Sequence, residues 1–234
     1  MPIVLLDENR DFPPVDRASS EGIVAVGGDL SPERLIRAYS LGIFPWYSAG
    51  EPIVWWSPDP RFVLFPDEIH VSRSMSRTLK KGQFRVTFDR DFRSVIDGCR
   101  RPRAGEPCTW ITAEMREAYC RLHDLGYAHS VEAWQGEQLT GGLYGVSLGA
   151  VFFAESMFFR TSNASKAALI ALSRYLGQQG FPLIDCQVYS RHVASLGGRM
   201  IPRRRYVEIV EQEACRQVPV GRWKAGGTGE AFFS

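Results

Sequence analysis

The sequence predicts an α+β protein: a small N-terminal domain over residues 1-62, then a larger domain over 63-234 in which helices pack on a mostly antiparallel sheet. Three observations predict it. The first sixty residues are rich in Pro, Gly and Trp and hold one clear helix signal. From Thr112 on, the patterns run helix, three strands, helix, strand, helix, which is an α+β layer order. The chain has 234 residues, 44% of them hydrophobic, enough for a sizeable core.

In the N-terminal segment Ser31 is placed as N-cap and Pro32 as first helical residue; Leu35, Ile36 and Tyr39 share one side and Gly42 stops the helix. The next stretch, Ile43-Phe-Pro-Trp46 and Trp55-Trp-Ser-Pro-Asp-Pro-Arg61, is broken by proline and reads as loops or short strands. Phe84 to Phe88 alternates as a strand and Asp91 to Cys99 reads as a short helix. Thr112 caps a helix carrying Met115, Tyr119 and Leu122 on its core face and ending at Gly126. His129 to Trp134, Leu139 to Val146 and Ala150 to Ser156 read as consecutive antiparallel strands, followed by a helix from about Asn163 to Gln178 and a strand from Pro182 to Val188. This order matches the core of the acetyltransferase-like (GNAT-like) fold. The Gly-rich tail from Gly221 to Gly229 reads as mobile.

Composition excludes several classes. No apolar run approaches the roughly 20 residues of a membrane span. Met1 to Asp11 lacks the order of a signal peptide and reads as a cytosolic terminus. Five cysteines at irregular spacing suggest free thiols, and the four histidines form no metal motif, so neither metal nor cofactor is expected. The net charge is only +2, but His70 to Arg103 holds ten Lys or Arg against three acids, and Arg203, Arg204 and Arg205 form a second knot. Such patches fit either a polyanion footprint or a solvated face.

Chemistry concentrates in three places. Gly141 to Phe158 packs several glycines into strands, the mark of bulges or of close approach by a ligand, and implies a groove. Glu155 lies in its apolar part, where a buried carboxylate must be paired, as with an arginine, or used. Asp185 and Gln187, two apart in an apolar strand, fall on one face with Cys186 turned away. An acid beside an amide can hold and relay a proton, or pin a loop. Asn163 to Leu169 opens a helix whose leucines read as core and whose N-terminus, near Ser165 and Lys166, is open to an anion.

Taken in order, Ile43-Phe-Pro-Trp46, Trp55-Trp-Ser-Pro-Asp-Pro-Arg61, Thr109-Trp-Ile, Tyr144-Gly-Val, Glu155-Ser-Met-Phe, Asn163-Ala-Ser-Lys, Leu183-Ile-Asp-Cys-Gln and Ile201-Pro-Arg-Arg closely resemble the bacterial leucyl/phenylalanyl-tRNA–protein transferases, from about Gly22 to Tyr206. The resemblance implies a small N-terminal and a larger C-terminal domain, in a monomer that moves Leu or Phe, less well Met, from aminoacyl-tRNA to acceptor proteins with N-terminal Arg or Lys, marking them for degradation. It implies Asp185, Gln187 and Glu155 as catalytic residues. Trp46 and Trp110 would stack on the tRNA 3′ adenosine; Leu143, Met157, Leu169 and Ile184 would bind the aminoacyl substrate; Arg73, Arg77, Lys80 and Lys81 would contact the tRNA body. Leu143, Leu172 and Leu176 stand where some members carry Met or Phe. The aminoacyl ester is already activated, so the expected reaction is direct attack by the acceptor amine, with Asp185 taking the proton through Gln187 and no covalent step on Cys186. Two rivals are a non-catalytic tRNA-binding module and a CoA-dependent acetyltransferase. The latter needs a Gly-rich pyrophosphate loop, and Phe159 to Ser165 holds no glycine.

Overall fold

The computed structural model describes residues 3–7, 11–101 and 109–223. Arg103, Cys108 and the tail beyond Trp223 lie outside the described residues. Near the N-terminus, β1 (Val4–Leu6), β2 (Ile23–Gly27), β3 (Phe44–Pro45) and β4 (Val54–Trp56) form a four-stranded sheet in the order β1-β2-β4-β3. Helix α1 (Pro32–Ser40) starts where the sequence places it: Ser31 Oγ accepts the Arg34 N–H at 3.3 Å, with Pro32 at the first position. Its Leu35, Ala38 and Tyr39 are buried.

A seven-stranded sheet follows, in the order β11-β5-β10-β9-β8-β7-β6. Its strands are β5 (Arg61–Leu64), β6 (Arg85–Phe88), β7 (Ala128–Gln135), β8 (Gln138–Leu148), β9 (Val151–Phe159), β10 (Leu183–Asp185) and β11 (Arg199–Ile201). Only β9 and β10 pair parallel; every other ladder in this sheet is antiparallel, in line with the alternation read from the sequence. The helices are α2 (Arg73–Lys80), α3 (Phe92–Arg100), α4 (Ala113–Asp124), α5 (Ala164–Gln178), α6 (Arg191–Ala194) and α7 (Arg203–Glu213). Asp91 and Thr112 cap α3 and α4 through their side chains. Strand β5 straddles residue 62, where the sequence places the end of the first domain.

Two apolar layers clothe this sheet. One joins Tyr144, Val146 and Phe153 to α3, α4, α7 and the N-terminal strands and helix; the other joins Leu143, Phe152 and Ile184 to α2 and α5. Alternate residues of β8 and β9 thus feed opposite layers, as the two-residue strand period requires. The whole is a mixed α+β architecture with a small N-terminal sheet.

The structure alters one expectation, adds two short elements and decides the role of the glycines. The strand foreseen over Pro182 to Val188 ends at Asp185, and Gln187 takes a left-handed conformation at φ 63°. Short elements α6 and β11 carry too few residues to show periodicity. The glycines of Gly141 to Gly149 serve packing: a Cβ at Gly141 would lie 2.6 Å from the Ala164 Cβ, and Gly145 lies against the Phe153 carbonyl, opposite a bulge in β9 whose extra residue is Glu155. They admit neighbouring protein rather than a ligand.

Candidate active site

The sheet opens where β10 stops. Asp185 is its last partner of β9, paired with Phe153, while β9 continues to Phe159. The unpaired edge from Ala154 to Arg160 borders a cavity of about 730 Å³, closed by Trp110, by Leu169 of α5 and by Cys186 to Val193. That volume suits a small-molecule moiety.

Glu155 stands on this wall and is 7% exposed. Its Oε1 accepts the Tyr39 hydroxyl and the Gln187 Nε2, each at 2.7 Å, and its Oε2 accepts the Tyr119 hydroxyl at 2.9 Å. The two hydroxyls lie 2.6 Å apart. Burial pushes the Glu155 pKa up to about 7; the tyrosine and glutamine hydrogen bonds favour the anion and pull it back, while the nearby Asp185 charge adds to the rise. Desolvation wins, leaving a carboxyl group poised to exchange a proton near neutral pH.

Asp185 is placed differently from the sequence reading. It is fully buried and is not on the cavity wall. Its Oδ1 accepts Arg61 Nε at 2.8 Å and the Gln187 backbone N–H at 2.9 Å; its Oδ2 accepts Arg61 Nη2 at 2.7 Å and the Tyr206 hydroxyl at 2.8 Å. Its two oxygens accept from four donors, two of them the fork of one guanidinium, and lie out of reach of a substrate amine. The arginine partner foreseen for Glu155 therefore belongs to Asp185, and Gln187 hands its amide to Glu155. Cys186 is corrected too: because the strand ends, the residue lines the cavity beside Gln187 instead of facing away. Burial pushes its thiol pKa up, so it stays protonated and is no nucleophile.

Of the remaining expected residues, Trp110, Met157 and Leu169 line the cavity. Leu143 and Ile184 do not; both are fully buried in the layer below, where β8 and β10 point their side chains toward α5. Leu172 and Leu176 are likewise core. Trp46 is 42% exposed, packs on Trp56 at 5.9 Å and is not among the lining residues. Arg73, Arg77, Lys80 and Lys81 are exposed on and just after α2.

Sequence reading missed Tyr39, Tyr119, Arg61 and Tyr206. Both tyrosines of the Glu155 shell sat on helix faces read as apolar core. The available signal was the hydroxyl, which needs a partner once buried. Arg61 and Asp185 are far apart in the chain, and nothing local marks their pairing.

Residues 63–211 match the family described as leucyl/phenylalanyl-tRNA protein transferase, and residues 28–59 match that family's N-terminal domain. A leucyl/phenylalanyl-tRNA–protein transferase of Syntrophus aciditrophicus is 58% identical over 95% of this chain and 94% of its own. One from Myxococcus xanthus is 52% identical over 98% of this chain and 100% of its own. Among solved structures, L-PGS from Bacillus licheniformis aligns over 74% of this chain and 57% of its own at 11% identity and a TM-score of 0.39, too slight a likeness to carry an argument. With both family regions matched in order and relatives this similar end to end, the chain belongs to the leucyl/phenylalanyl-tRNA protein transferase family.

Proposed function

We propose that this chain is a cytosolic aminoacyltransferase that moves Leu or Phe, and less well Met, from aminoacyl-tRNA onto acceptor proteins beginning with Arg or Lys, forming a peptide bond and marking them for degradation. The larger domain is assigned the acetyltransferase-like layer order, and the enzyme acts as a monomer. The observation that carries the reading is a buried carboxyl group, held by Tyr39, Tyr119 and Gln187, on the wall of a cavity that Met157 and Leu169 also line, in a member of this family.

An aminoacyl ester needs no further activation, and a protein α-amine has a pKa of about 7.7 to 8.0, so part of it is neutral near physiological pH. The acceptor nitrogen attacks the ester carbonyl; the new C–N bond forms as the C–O bond to the tRNA 3′ end breaks. Glu155 takes the proton the amine must lose and returns it to the departing oxygen. Gln187, Tyr39 and Tyr119 hold the carboxylate for that exchange. Trp110 offers an aromatic face at the cavity for the terminal base, and the exposed α2 cations offer the tRNA body an electrostatic footing.

The test is transfer of radiolabelled leucine from Leu-tRNA to a protein beginning with Arg, beside the same protein beginning with Ala. Transfer is expected only to the Arg-initiated acceptor, and Glu155→Gln is expected to slow it by about a hundredfold or more. Tight, salt-sensitive tRNA binding with no transfer would overturn the catalytic reading, and an undiminished Glu155→Gln enzyme would overturn the role given to that carboxylate.

A further inference from the structure

We propose that Arg61 and Tyr206 are positioning residues for the transfer reaction: through Asp185 they hold the Gln187 backbone in the conformation from which its amide reaches Glu155. The proposal rests on the reading of Glu155 as the proton-exchanging group.

Each link is geometric. Gln187 is left-handed at φ 63°, a conformation that side chains with a Cβ adopt seldom and that needs support from its surroundings. Two features supply it. The Gln187 N–H is held by Asp185 Oδ1 at 2.9 Å, and Arg61's neighbour Phe62 brackets the loop, donating to the Gln187 carbonyl at 3.3 Å and accepting from the Cys186 N–H at 2.9 Å. The Asp185 carboxylate is in turn oriented by the Arg61 fork and the Tyr206 hydroxyl, and Arg61 Nη2 donates to that hydroxyl at 3.1 Å.

The fork itself is fixed by packing. The guanidinium carbon lies 4.7 Å from the centre of the Phe44 ring and 4.4 Å from that of Tyr206. Gly42 makes room: a Cβ there would stand 2.6 Å from Tyr206 Cε1. The N-terminal segment thus reaches Glu155 twice, once directly through Tyr39 and once through Phe44, Arg61, Asp185 and Gln187.

Stability alone is a poor account of this arrangement. A fully buried ion pair gains little over well-packed apolar residues of the same volume, and here Arg61 Nη1 is buried with no hydrogen-bond partner among the described residues. What an apolar replacement would not supply is the acceptor for the Gln187 N–H, and with it the placement of the amide on Glu155.

Tyr206→Phe removes one donor to Asp185 without changing shape, and Arg61→Lys keeps the charge but loses the bidentate fork. Both, made in the full chain, are compared with Val210→Ala, a buried change one turn further along the same helix, whose apolar side chain makes none of these hydrogen bonds. Turnover and KM are measured well below each melting temperature, with Leu-tRNA and an Arg-initiated peptide. The expected result is kcat lowered about tenfold in Tyr206→Phe and further in Arg61→Lys, with KM for both substrates within about twofold of the original. Val210→Ala is expected to melt earlier with kcat unchanged. If Tyr206→Phe turns over normally while Glu155→Gln is slow, the positioning role falls and the reading of Glu155 stands; if Glu155→Gln also turns over normally, that underlying reading falls. Loss of kcat in Val210→Ala in proportion to its stability would likewise overturn positioning.

Discussion

At the scale of residues, Glu155 links stability to pH as well as chemistry. Its carboxyl is protonated more readily in the folded chain, with a pKa of about 7 against an ordinary 4.5. Between those values the folded state binds a proton that the unfolded state releases, so its contribution is present below about pH 4.5 and is lost as pH rises through 7, an effect of about 3 kcal/mol. Glu155→Gln is therefore expected to flatten the fall in melting temperature between pH 5 and about 8; an unchanged slope in thermal scans would show that this carboxyl does not titrate there. That a carboxylate in an apolar strand marks a site was legible from its setting alone. Its partners were not, because the Tyr39, Tyr119 and Gln187 contacts join segments distant in the chain. For Asp185 the local pattern misled: two-residue alternation predicts a shared face only while the strand lasts, and β10 ends at that residue.

At the scale of elements, capping and periodicity carry far. Ser31, Asp91 and Thr112 each begin the helix expected of them, since a cap is decided within a few residues. Helix α2 was seen only as a run of cations. Folding places Arg73, Arg77 and Lys80 along one side of a helix whose Met75 and Leu79 face inward, with Lys81 as its C-cap. If this stripe meets phosphates, Arg77→Ala is expected to weaken tRNA binding and to lower the slope of log affinity against log salt by about one. A salt titration that leaves the slope unchanged would remove Arg77 from the tRNA interface. The three arginines that open α7 are a different case: Arg203 donates from its backbone to Asp59 and from its side chain to the Ser57 carbonyl, so part of that basic knot ties elements together.

For the whole molecule, the end of the described chain matters more than its glycine content suggests. Trp223, within the tail expected to be mobile, is 9% exposed, stacks on His129 at 3.9 Å and donates its backbone N–H to Asp89 Oδ2 at 2.7 Å. Trp223→Ala is expected to cost about 3 kcal/mol in denaturant unfolding while leaving the transfer rate near normal at low temperature; an unaltered midpoint would show that the tail is not docked. By itself the sequence determined the α+β layering, the helix starts, the succession of strands and the family, because periodicity, caps and short motifs are properties of neighbouring residues. Only the tertiary structure decided which acid faces the cavity. The parting of β9 from β10 leaves Glu155 on the cavity wall, and Arg61, bonded to Asp185 in space and far from it in sequence, takes the other carboxylate out of reach. A buried charge is governed by its solvation and its partners, and both are settled by packing across the whole chain.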